Sequence, residues 1–303
     1  MEKSVIISDI SKNYKDVNAL DRISLEINKG ELFGFIGPDG AGKTTLFRIL
    51  VTLLLPDEGK AVVEGFDVVK QYKKIRRISG YMPGRFSLYQ DLSVEENLRF
   101  FASIFKTTVE ENYDMIKDIY RQIEPFKDRL AGKLSGGMKQ KLALSCALIH
   151  KPKILFLDEP TTGVDAVSRK EFWEMLGGLK EKGITVLVST PYMDEASLCD
   201  RAALMQKGKV LNINTPEGII RQYPHPLTSI SSDRMQQLIT DLRAHQGVFS
   251  AFRFGDNIHC ASATDNVDLA DLQQYLESRG HEKIAIERIK PNIEDCFMAL
   301  MKA

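Results

Sequence analysis

The amino-acid sequence predicts an α/β core with a helical subdomain, followed by a small α+β domain. Three observations lead to this prediction: a Gly-rich loop between an apolar run and a helical pattern, two further apolar runs downstream, and a change of pattern near Thr215-Pro216. Continuous apolar runs are typical of parallel strands covered on both faces, and strands that alternate with helices indicate an α/β fold. We therefore expect one domain at residues 1–214 and a second at residues 215–303.

The core should contain at least three buried strands. The first is the apolar run at residues 31–37, and two more are predicted at residues 154–157 and 184–188. After the first strand, apolar side chains recur at helical spacing, and Pro56 should end that helix. The apolar residues of this helix are Leu46, Ile49, Leu50, Leu53 and Leu54.

The helical subdomain is predicted at about residues 86–150, with a helix that begins at the capping-box residues Ser93 and Glu96. The second domain alternates strand-like segments with two amphipathic helices, which predicts a βαββαβ module closed by a helix from Asn292. The strand-like segments are LTSIS, VFSAFRF, IHCAS and KIAIERI. The apolar residues of the two helices are Met235, Leu238, Ile239, Leu242, Leu269, Leu272 and Leu276.

Charge and hydropathy limit the classes of function. Lys plus Arg and Asp plus Glu are equal at 41 each, so we expect no nucleic-acid partner held by a basic surface. No apolar run approaches the length of a membrane span, and the N-terminus has no signal-peptide pattern. If the protein works at a membrane, another polypeptide must supply the spans. The 4 cysteines lack CxxC spacing, and we expect reduced, packed thiols in a cytosolic protein.

A phosphate-binding loop is the strongest local motif. It matches G-x-x-x-x-G-K-[ST] and lies after a predicted strand and before a predicted helix. Its glycines let backbone N–H groups surround phosphates, Lys43 would reach the β- and γ-phosphates, and the Thr44 hydroxyl would bind Mg²⁺. The candidate nucleotide-binding residues here are Gly37, Pro38, Asp39, Gly40, Ala41, Gly42, Lys43, Thr44 and Thr45.

Two acidic residues, Asp158 and Glu159, follow the predicted strand at residues 154–157. Carboxylates beside an apolar strand are costly to desolvate, so a metal ion or a proton should compensate them. Asp158 suits Mg²⁺ held through water, and Glu159 suits the polarisation of an attacking water. The alternative is a pair of strand-end carboxylates that cap a turn.

A third motif, Ser135-Gly136-Gly137, stands before an apolar helical pattern. Serine at this place predicts a helix N-cap, and a helix N-terminus favours anions. By itself the motif is common in helix caps. Its position upstream of the strand that ends in Asp158-Glu159 makes it specific.

Residues 3–214 resemble an ABC-type nucleotide-binding domain, a P-loop NTPase, because GPDGAGKT, LSGGMKQ and ILFLDEP occur in the family's order and spacing. The resemblance implies that two such domains enclose two ATP molecules head to tail, each between one phosphate loop and the partner's Ser-Gly-Gly. It also implies that Tyr14 stacks on adenine and that Asp165 lies at the dimer seam. Tyr14 as a packed surface aromatic remains the alternative.

Two positions depart from the family pattern. The resemblance implies a glutamine where Gly84 stands and a histidine where Pro191 stands. Neither residue offers a side chain to Mg²⁺, water or the γ-phosphate, and proline also lacks the backbone N–H. Either neighbouring side chains substitute for them, or the family tolerates these changes. The other interpretation is that the chain is the slow half of an asymmetric pair, whose Ser135-Gly136-Gly137 completes a competent site on a paralogous ATPase.

The resemblance thus implies an ATP-driven subunit of a drug- or antibiotic-exporter type that acts on an integral membrane permease from the cytoplasmic face. The segment from Arg85, with Phe86, Leu88 and Tyr89, is where the family engages its permease. Those side chains could instead pack within the helical region. The other functions left open are a soluble ABC protein that acts on DNA or ribosomes and a nucleotide sensor with little hydrolysis.

Overall fold

The computed structural model describes residues 2–264 and 269–301. The chain divides into two compact units, Met1–Pro216 and Glu217–Ala303, which are described separately. Among the described residues, no helix is both long and apolar enough to cross a membrane. All four cysteines are free and buried.

The first unit contains a four-stranded antiparallel sheet in the order β2-β1-β4-β5. Its strands are β1 (Lys3–Tyr14), β2 (Val17–Asn28), β4 (Glu58–Val63) and β5 (Phe66–Asp67). The apolar residues Val5, Ile7 and Ile27 are buried on one face of this sheet. The polar residues between them lie on the other face, as expected for a sheet that covers a core on one side.

The second sheet of this unit has six strands in the order β10-β9-β3-β8-β7-β6. Its strands are β3 (Leu32–Ile36), β6 (Ser79–Met82), β7 (Ile154–Asp158), β8 (Thr185–Thr190), β9 (Arg201–Gln206) and β10 (Lys209–Asn214). Every residue of β3, β7 and β8 is buried, which confirms the three strands predicted from apolar runs. These strands pair in parallel, and β10 pairs antiparallel to β9.

The helices of the first unit cover this six-stranded sheet. They are α1 (Lys43–Leu50), α2 (Tyr72–Ile78), α3 (Val94–Ile104), α4 (Tyr113–Tyr120), α5 (Gly136–Leu148) and α6 (Ala166–Glu181), and α7 (Pro216–Arg221) begins where the unit ends. One apolar core lies between the two sheets around α1, and a second lies between the six-stranded sheet, α3 to α5 and α6. Helix α1 is fixed by Phe47, whose ring packs edge to face on Phe35 at 5.5 Å and on Phe156 at 5.8 Å.

The predicted end of α1 at Pro56 is wrong. The helix ends at Leu50, and Thr52 has a left-handed φ of 65° that turns the chain away. Leu53 is consequently 60% exposed, although its spacing fits the helical pattern. The predicted capping box is confirmed, because the Ser93 side chain accepts from the Glu96 backbone and the Glu96 side chain accepts from the Ser93 backbone.

In the segment after Gly84, some of the side chains pack into the core and one is exposed. Leu88 is buried in the helical core and Phe86 packs against that core, so these two side chains take the packing alternative. Tyr89 is 51% exposed, and its ring meets Phe100 of α3 edge to face at 4.8 Å.

The second unit is an antiparallel sheet in the order β12-β13-β11-β14, covered by helices. Its elements are β11 (Leu227–Ser231), α8 (Met235–Ala244), β12 (Val248–Phe254), β13 (Asn257–Ser262), α9 (Leu269–Ser278), β14 (Ala285–Ile289) and α10 (Ile293–Leu300). This order confirms the predicted βαββαβ module. The closing helix is also confirmed, with Asn292 as its N-cap in a capping box with Asp295.

Candidate functional site

The carboxyl ends of four neighbouring parallel strands form one edge of the six-stranded sheet. The strands β3, β8, β7 and β6 lie side by side in that order. Register pairs Ile36 with Thr190, and Asp158 with Ser189. The residues that follow these strands therefore emerge together, and ligands of open parallel sheets bind at this edge.

The phosphate-binding loop leaves β3 at this edge and leads directly into α1. Pro38, Asp39 and Gly40 are exposed at its tip, Ala41 is buried, and Gly42, Thr44 and Thr45 are half-buried. A side chain at Gly37 would meet the carbonyl oxygen of Met205 at 2.2 Å.

Gly42 is constrained in the same way. Its φ is 102°, and a Cβ there would lie 2.5 Å from the carbonyl oxygen of Ala19. The glycines of this loop are therefore required by its fold, because other residues could not adopt this backbone or fit these contacts.

Lys43 is the first residue of α1, and its side chain is 3% exposed. Its ammonium donates to the carbonyl oxygens of Gly37 at 2.7 Å and Pro38 at 3.1 Å. It also lies 3.5 Å from Oε1 of Glu159. A buried ammonium must be compensated by such partners. The loop thus holds the Lys43 ammonium against two of its own carbonyl oxygens, next to the N-terminus of α1.

Asp158 ends β7 and is 3% exposed. Its Oδ1 accepts hydrogen bonds from the hydroxyls of Thr44 at 3.1 Å and Ser189 at 2.5 Å. Burial, with the nearby charge of Asp158, raises the pKa of Tyr81 to about 12, so this phenol stays neutral at physiological pH. The structure thus brings together Thr44 and Asp158, which the sequence singled out separately.

Glu159 stands beside Asp158 with a left-handed φ of 50°. Its backbone N–H donates to the carbonyl oxygen of Ser189 at 3.0 Å and to the Ser189 hydroxyl at 3.1 Å. Its side chain is 24% exposed, so the carboxylate faces both Lys43 and solvent. Ser189 was missed by sequence reasoning; its position at the end of a neighbouring apolar strand was the available signal.

Gly84 and Pro191 lie at the same edge. A Cβ at Gly84 would be 3.1 Å from the carbonyl oxygen of Asp158, which places this backbone directly beside the acidic pair. Pro191 follows Thr190 at the end of β8 and is half-buried. The two departures from the family pattern are therefore next to the candidate site, and neither offers it a polar side-chain group.

Tyr14 ends β1 and is 43% exposed, with the ammonium of Lys12 at 5.8 Å from its ring centroid. An exposed ring with a cation above it is compatible with base stacking and also with a surface aromatic. The stacking of Tyr14 on adenine stays a prediction.

The Ser-Gly-Gly motif and Asp165 form a separate pair of helix N-termini. Ser135 caps α5 by accepting from the backbone of Met138 at 3.3 Å, and Asp165 caps α6 by accepting from the backbone of Ser168 at 2.9 Å. The hydrogen bonds from Ser168 hold the pKa of Asp165 below its ordinary value.

The two helix ends are adjacent. A Cβ at Gly137 would lie 2.7 Å from the Ser168 hydroxyl, and one at Gly136 would lie 3.5 Å from the carbonyl oxygen of Gly163. Within residues 2–264 and 269–301, no hydrogen bond or ion pair joins Ser135, Gly136 or Gly137 to the phosphate-binding loop.

The donor set of the site suits a magnesium nucleotide. Mg²⁺ prefers oxygen ligands and is usually held by one or two carboxylates, waters and substrate phosphates. Thr44 and Asp158 supply a hydroxyl and a carboxylate side by side. The described residues contain no group of three or more His, Cys, Asp or Glu side chains placed to hold a metal.

Comparison with known proteins gives consistent matches. Residues 20–162 match the family model described as ABC transporter. A probable multidrug ABC transporter ATP-binding protein of Escherichia coli (strain K12) is 40% identical over 223 residues, 73% of this chain and 39% of that protein. The chain thus spans about two fifths of the length of that relative.

Other matches extend over nearly whole chains. The Nod factor export ATP-binding protein I of Rhizobium sp. (strain N33) is 31% identical over 301 residues, 98% of this chain and 96% of the relative. A dimeric ATP-binding cassette, solved in a post-hydrolysis state with ADP and Pi bound, is similar with a TM-score of 0.63 and 27% identity. That match covers 70% of this chain and 98% of the solved one.

Proposed function

This chain belongs to the ATP-binding proteins of ABC transporters, and we propose that it binds Mg²⁺-ATP at residues 37–45 to drive a separate membrane permease. One observation carries the proposal: Lys43, Thr44, Asp158 and Glu159 come from distant parts of the sequence and meet at one edge of the sheet. Their ammonium, hydroxyl and carboxylates are the groups that phosphoryl-transfer sites of this class require.

Each of these residues then has a distinct role. Lys43 and the N-terminus of α1 bind the β- and γ-phosphates. The backbone N–H groups of Gly40 and Gly42 cradle the same phosphates. Thr44 and Asp158 would hold Mg²⁺, which would neutralise charge on the phosphates.

Glu159 orients and polarises the attacking water and takes its proton. As the water oxygen bonds to the γ-phosphorus of the bound nucleotide, the bond from that phosphorus to the β–γ bridging oxygen breaks, which leaves ADP and phosphate. Tyr14 stacks on the adenine.

A second ATPase domain completes the site. Ser135, Gly136 and Gly137 present a helix N-terminus to the γ-phosphate bound by the partner domain, and Asp165 lies at the seam. Two observations support this: α5 and α6 begin side by side, and a similar cassette was solved as a dimer. The partner is a second copy of this chain or a paralogue.

Hydrolysis at the chain's own site is slow in this proposal. Gly84 lies beside the carbonyl oxygen of Asp158, and Pro191 follows the last residue of β8, but neither has a side-chain donor or acceptor. Removal of one preorganised donor from a transition state costs about 10²–10³ in rate. Pairing with a paralogue, whose site uses the Ser-Gly-Gly of this chain, would supply the faster turnover.

The permease-facing surface lies next to Gly84. Tyr89 is exposed there, and a cavity of about 290 Å³ opens among the apolar side chains of Leu88, Phe101 and Phe105. Apolar cavities beside exposed aromatic residues are favourable anchoring points for a partner. The chain would therefore act as a peripheral subunit at the inner face of the cell membrane. Co-purification with a permease would distinguish this role from that of a soluble ABC protein or a nucleotide sensor.

The proposal is tested with the purified chain and a fluorescent ATP analogue. The native chain and the Glu159→Gln variant should bind it equally with Mg²⁺, whereas the slow single-turnover hydrolysis of the native chain should fall by about 10²-fold or more in the variant. Glu174→Gln, on the exposed side of α6, is the matched control and should change neither quantity. Failure of the native chain to bind Mg²⁺-ATP would overturn the proposal, and brisk turnover of the chain alone would refute the asymmetric pair.

A further inference from the structure

The carboxylate of Glu195 is buried near the site, and no role has been assigned to it above. It lies in a short 3-10 helix, Met193–Leu198, and the residue is 1% exposed. Its Oε1 accepts from the Thr161 hydroxyl at 2.8 Å, and its Oε2 accepts from the Thr190 hydroxyl. Since an uncompensated buried carboxylate is costly, these two hydroxyls account for its position.

The two hydroxyls belong to the two loops that carry the site. Thr161 is two residues after Glu159, and it is itself 1% exposed. Thr190 ends β8 immediately before Pro191, and its hydroxyl also accepts from the backbone N–H of Tyr192 at 3.1 Å. Glu195 therefore joins the loop after β7 to the loop after β8 through its two oxygens.

Arg169 of α6 adds a third element to this cluster. Its Nε lies 3.8 Å from Oε1 of Glu195, and its guanidinium donates to Asp194 at 2.7 Å. The same guanidinium lies over the ring of Tyr192, 5.0 Å from the centroid. Helix α6 is thus tied directly to the segment after β8, and through Glu195 to the loop after β7.

We propose that Glu195 is a positioning residue that fixes the loop of Glu159 relative to the loop of Pro191. The loop of Glu159 is held at its start by two hydrogen bonds, which the Glu159 N–H donates to Ser189. Two residues later the same loop is held again, through Thr161 and Glu195. Because Glu159 has a left-handed φ of 50°, anchors on both sides are needed to keep this conformation.

The inference rests on the proposed function, since positioning matters only if Glu159 orients water. Pro191 adds no polar side-chain group, so its loop contributes through the position of its backbone. Glu195 sets that position through Thr190 and the N–H of Tyr192. Misplacement of reacting groups by about 1 Å can cost about 10²-fold in rate.

Two isosteric substitutions test the role. Glu195→Gln replaces one acceptor with a donor, so one of the two threonine hydroxyls can no longer donate to this side chain. Thr161→Val removes one hydroxyl without changing the size of the side chain, whereas Thr161→Ser keeps the hydroxyl and serves as the matched control. Glu174→Gln controls for loss of a carboxylate elsewhere on the surface of this unit.

The main readout is amide hydrogen exchange, which does not depend on hydrolysis. In Glu195→Gln and Thr161→Val, exchange within residues 159–165 and 190–195 should become about tenfold faster, the size expected for one hydrogen bond to a charged group. Exchange within α1 and the affinity for the fluorescent ATP analogue should stay within about twofold of the native chain, since the phosphate-binding loop is not involved. Single-turnover hydrolysis should slow about tenfold without a change in that affinity.

The inference is overturned if both variants leave loop exchange unchanged, or if exchange rises equally in α1, which would indicate general destabilisation. If Glu195→Gln does not fold, Thr161→Val against Thr161→Ser decides the question. Failure of the native chain to bind ATP would refute the proposed function, while the exchange data would still decide whether Glu195 fixes the loops.

Discussion

Two groups of residues at the same sheet edge offer different chemistry to a nucleotide. On the phosphate side of this comparison, Lys43, Asp158 and Glu159 provide charged groups within hydrogen-bond or ion-pair distance of their neighbours. On the other side of the comparison, Gly84 and Pro191 follow β6 and β8 at the same edge without a polar side-chain group. Groups that bind substrate and transition state equally lower the dissociation constant, whereas groups engaged only in the transition state raise the rate. We therefore expect binding and turnover to be separable in this molecule, so that each can be changed alone.

The largest effect is expected at Lys43. Lys43→Ala removes a buried ammonium, and truncation of such a charge commonly costs about 2–5 kcal/mol, so ATP affinity should fall by about 10²-fold or more. Equilibrium titration with a fluorescent ATP analogue measures this. Lys170→Ala, at an 81% exposed lysine of α6, is the control and should bind normally. Undiminished binding by Lys43→Ala would show that the Lys43 ammonium does not contribute to ATP binding.

Pro191→His should give the next largest effect, in the opposite direction. A histidine at this strand end supplies the missing donor, so turnover should rise by about 10- to 100-fold while ATP affinity is unchanged. Steady-state phosphate release measures the rate. Pro191→Ala frees the backbone without adding a donor, and an equal gain in that variant would assign the effect to the backbone instead.

Ser189→Ala should give the third largest effect, which is a loss of stability around Asp158. Its buried hydroxyl bonds the Asp158 carboxylate, so the free energy of unfolding should fall by about 1.5–3 kcal/mol. Ser145→Ala is the matched control, because its equally buried hydroxyl bonds a backbone carbonyl, for which about 0.5–1.5 kcal/mol is expected. Urea unfolding compares the two. Equal losses would mean that the charge of Asp158 adds nothing to the Ser189 bond.

The smallest effect is expected at Gly84. Gly84→Gln adds the missing amide, but its Cβ would lie 3.1 Å from the carbonyl oxygen of Asp158, so the loop must shift and turnover should change by no more than about threefold. Gly84→Ala makes the same contact without the amide and isolates the steric part. A gain from Gly84→Gln as large as that from Pro191→His would show that the loop tolerates this contact.

Much of the fold could be predicted because the apolar pattern of many segments matches the strand or helix that they form. The buried strands β3, β7 and β8 are continuous apolar runs, and α8 and α9 of the second unit each have one apolar face. The end of α1 could not be predicted from periodicity. The pattern continues through Leu53, but the left-handed turn at Thr52 is a backbone feature that apolar spacing does not report.

The residues of the site likewise include some that the sequence identifies and some that it does not. Lys43 and the Asp158-Glu159 pair belong to contiguous motifs whose residue types identify them. Ser189 bonds Asp158, 31 residues away in the sequence, and Glu195 bonds Thr161, 34 residues away. Those contacts depend on how β7 and β8 align, so they become visible only once the sheet is assembled.

The left-handed backbone of Glu159 has a consequence for how this chain can change over time. At a φ of 50°, glycine or asparagine is preferred, and a residue with a longer side chain costs of order 1–2 kcal/mol. Replacement by glycine or asparagine would relieve this backbone cost, but it would also remove the carboxylate that lies 3.5 Å from the buried ammonium of Lys43. Even a lineage that no longer needed hydrolysis at this site would therefore have a reason to keep an acidic residue here, because the charge of Lys43 would remain.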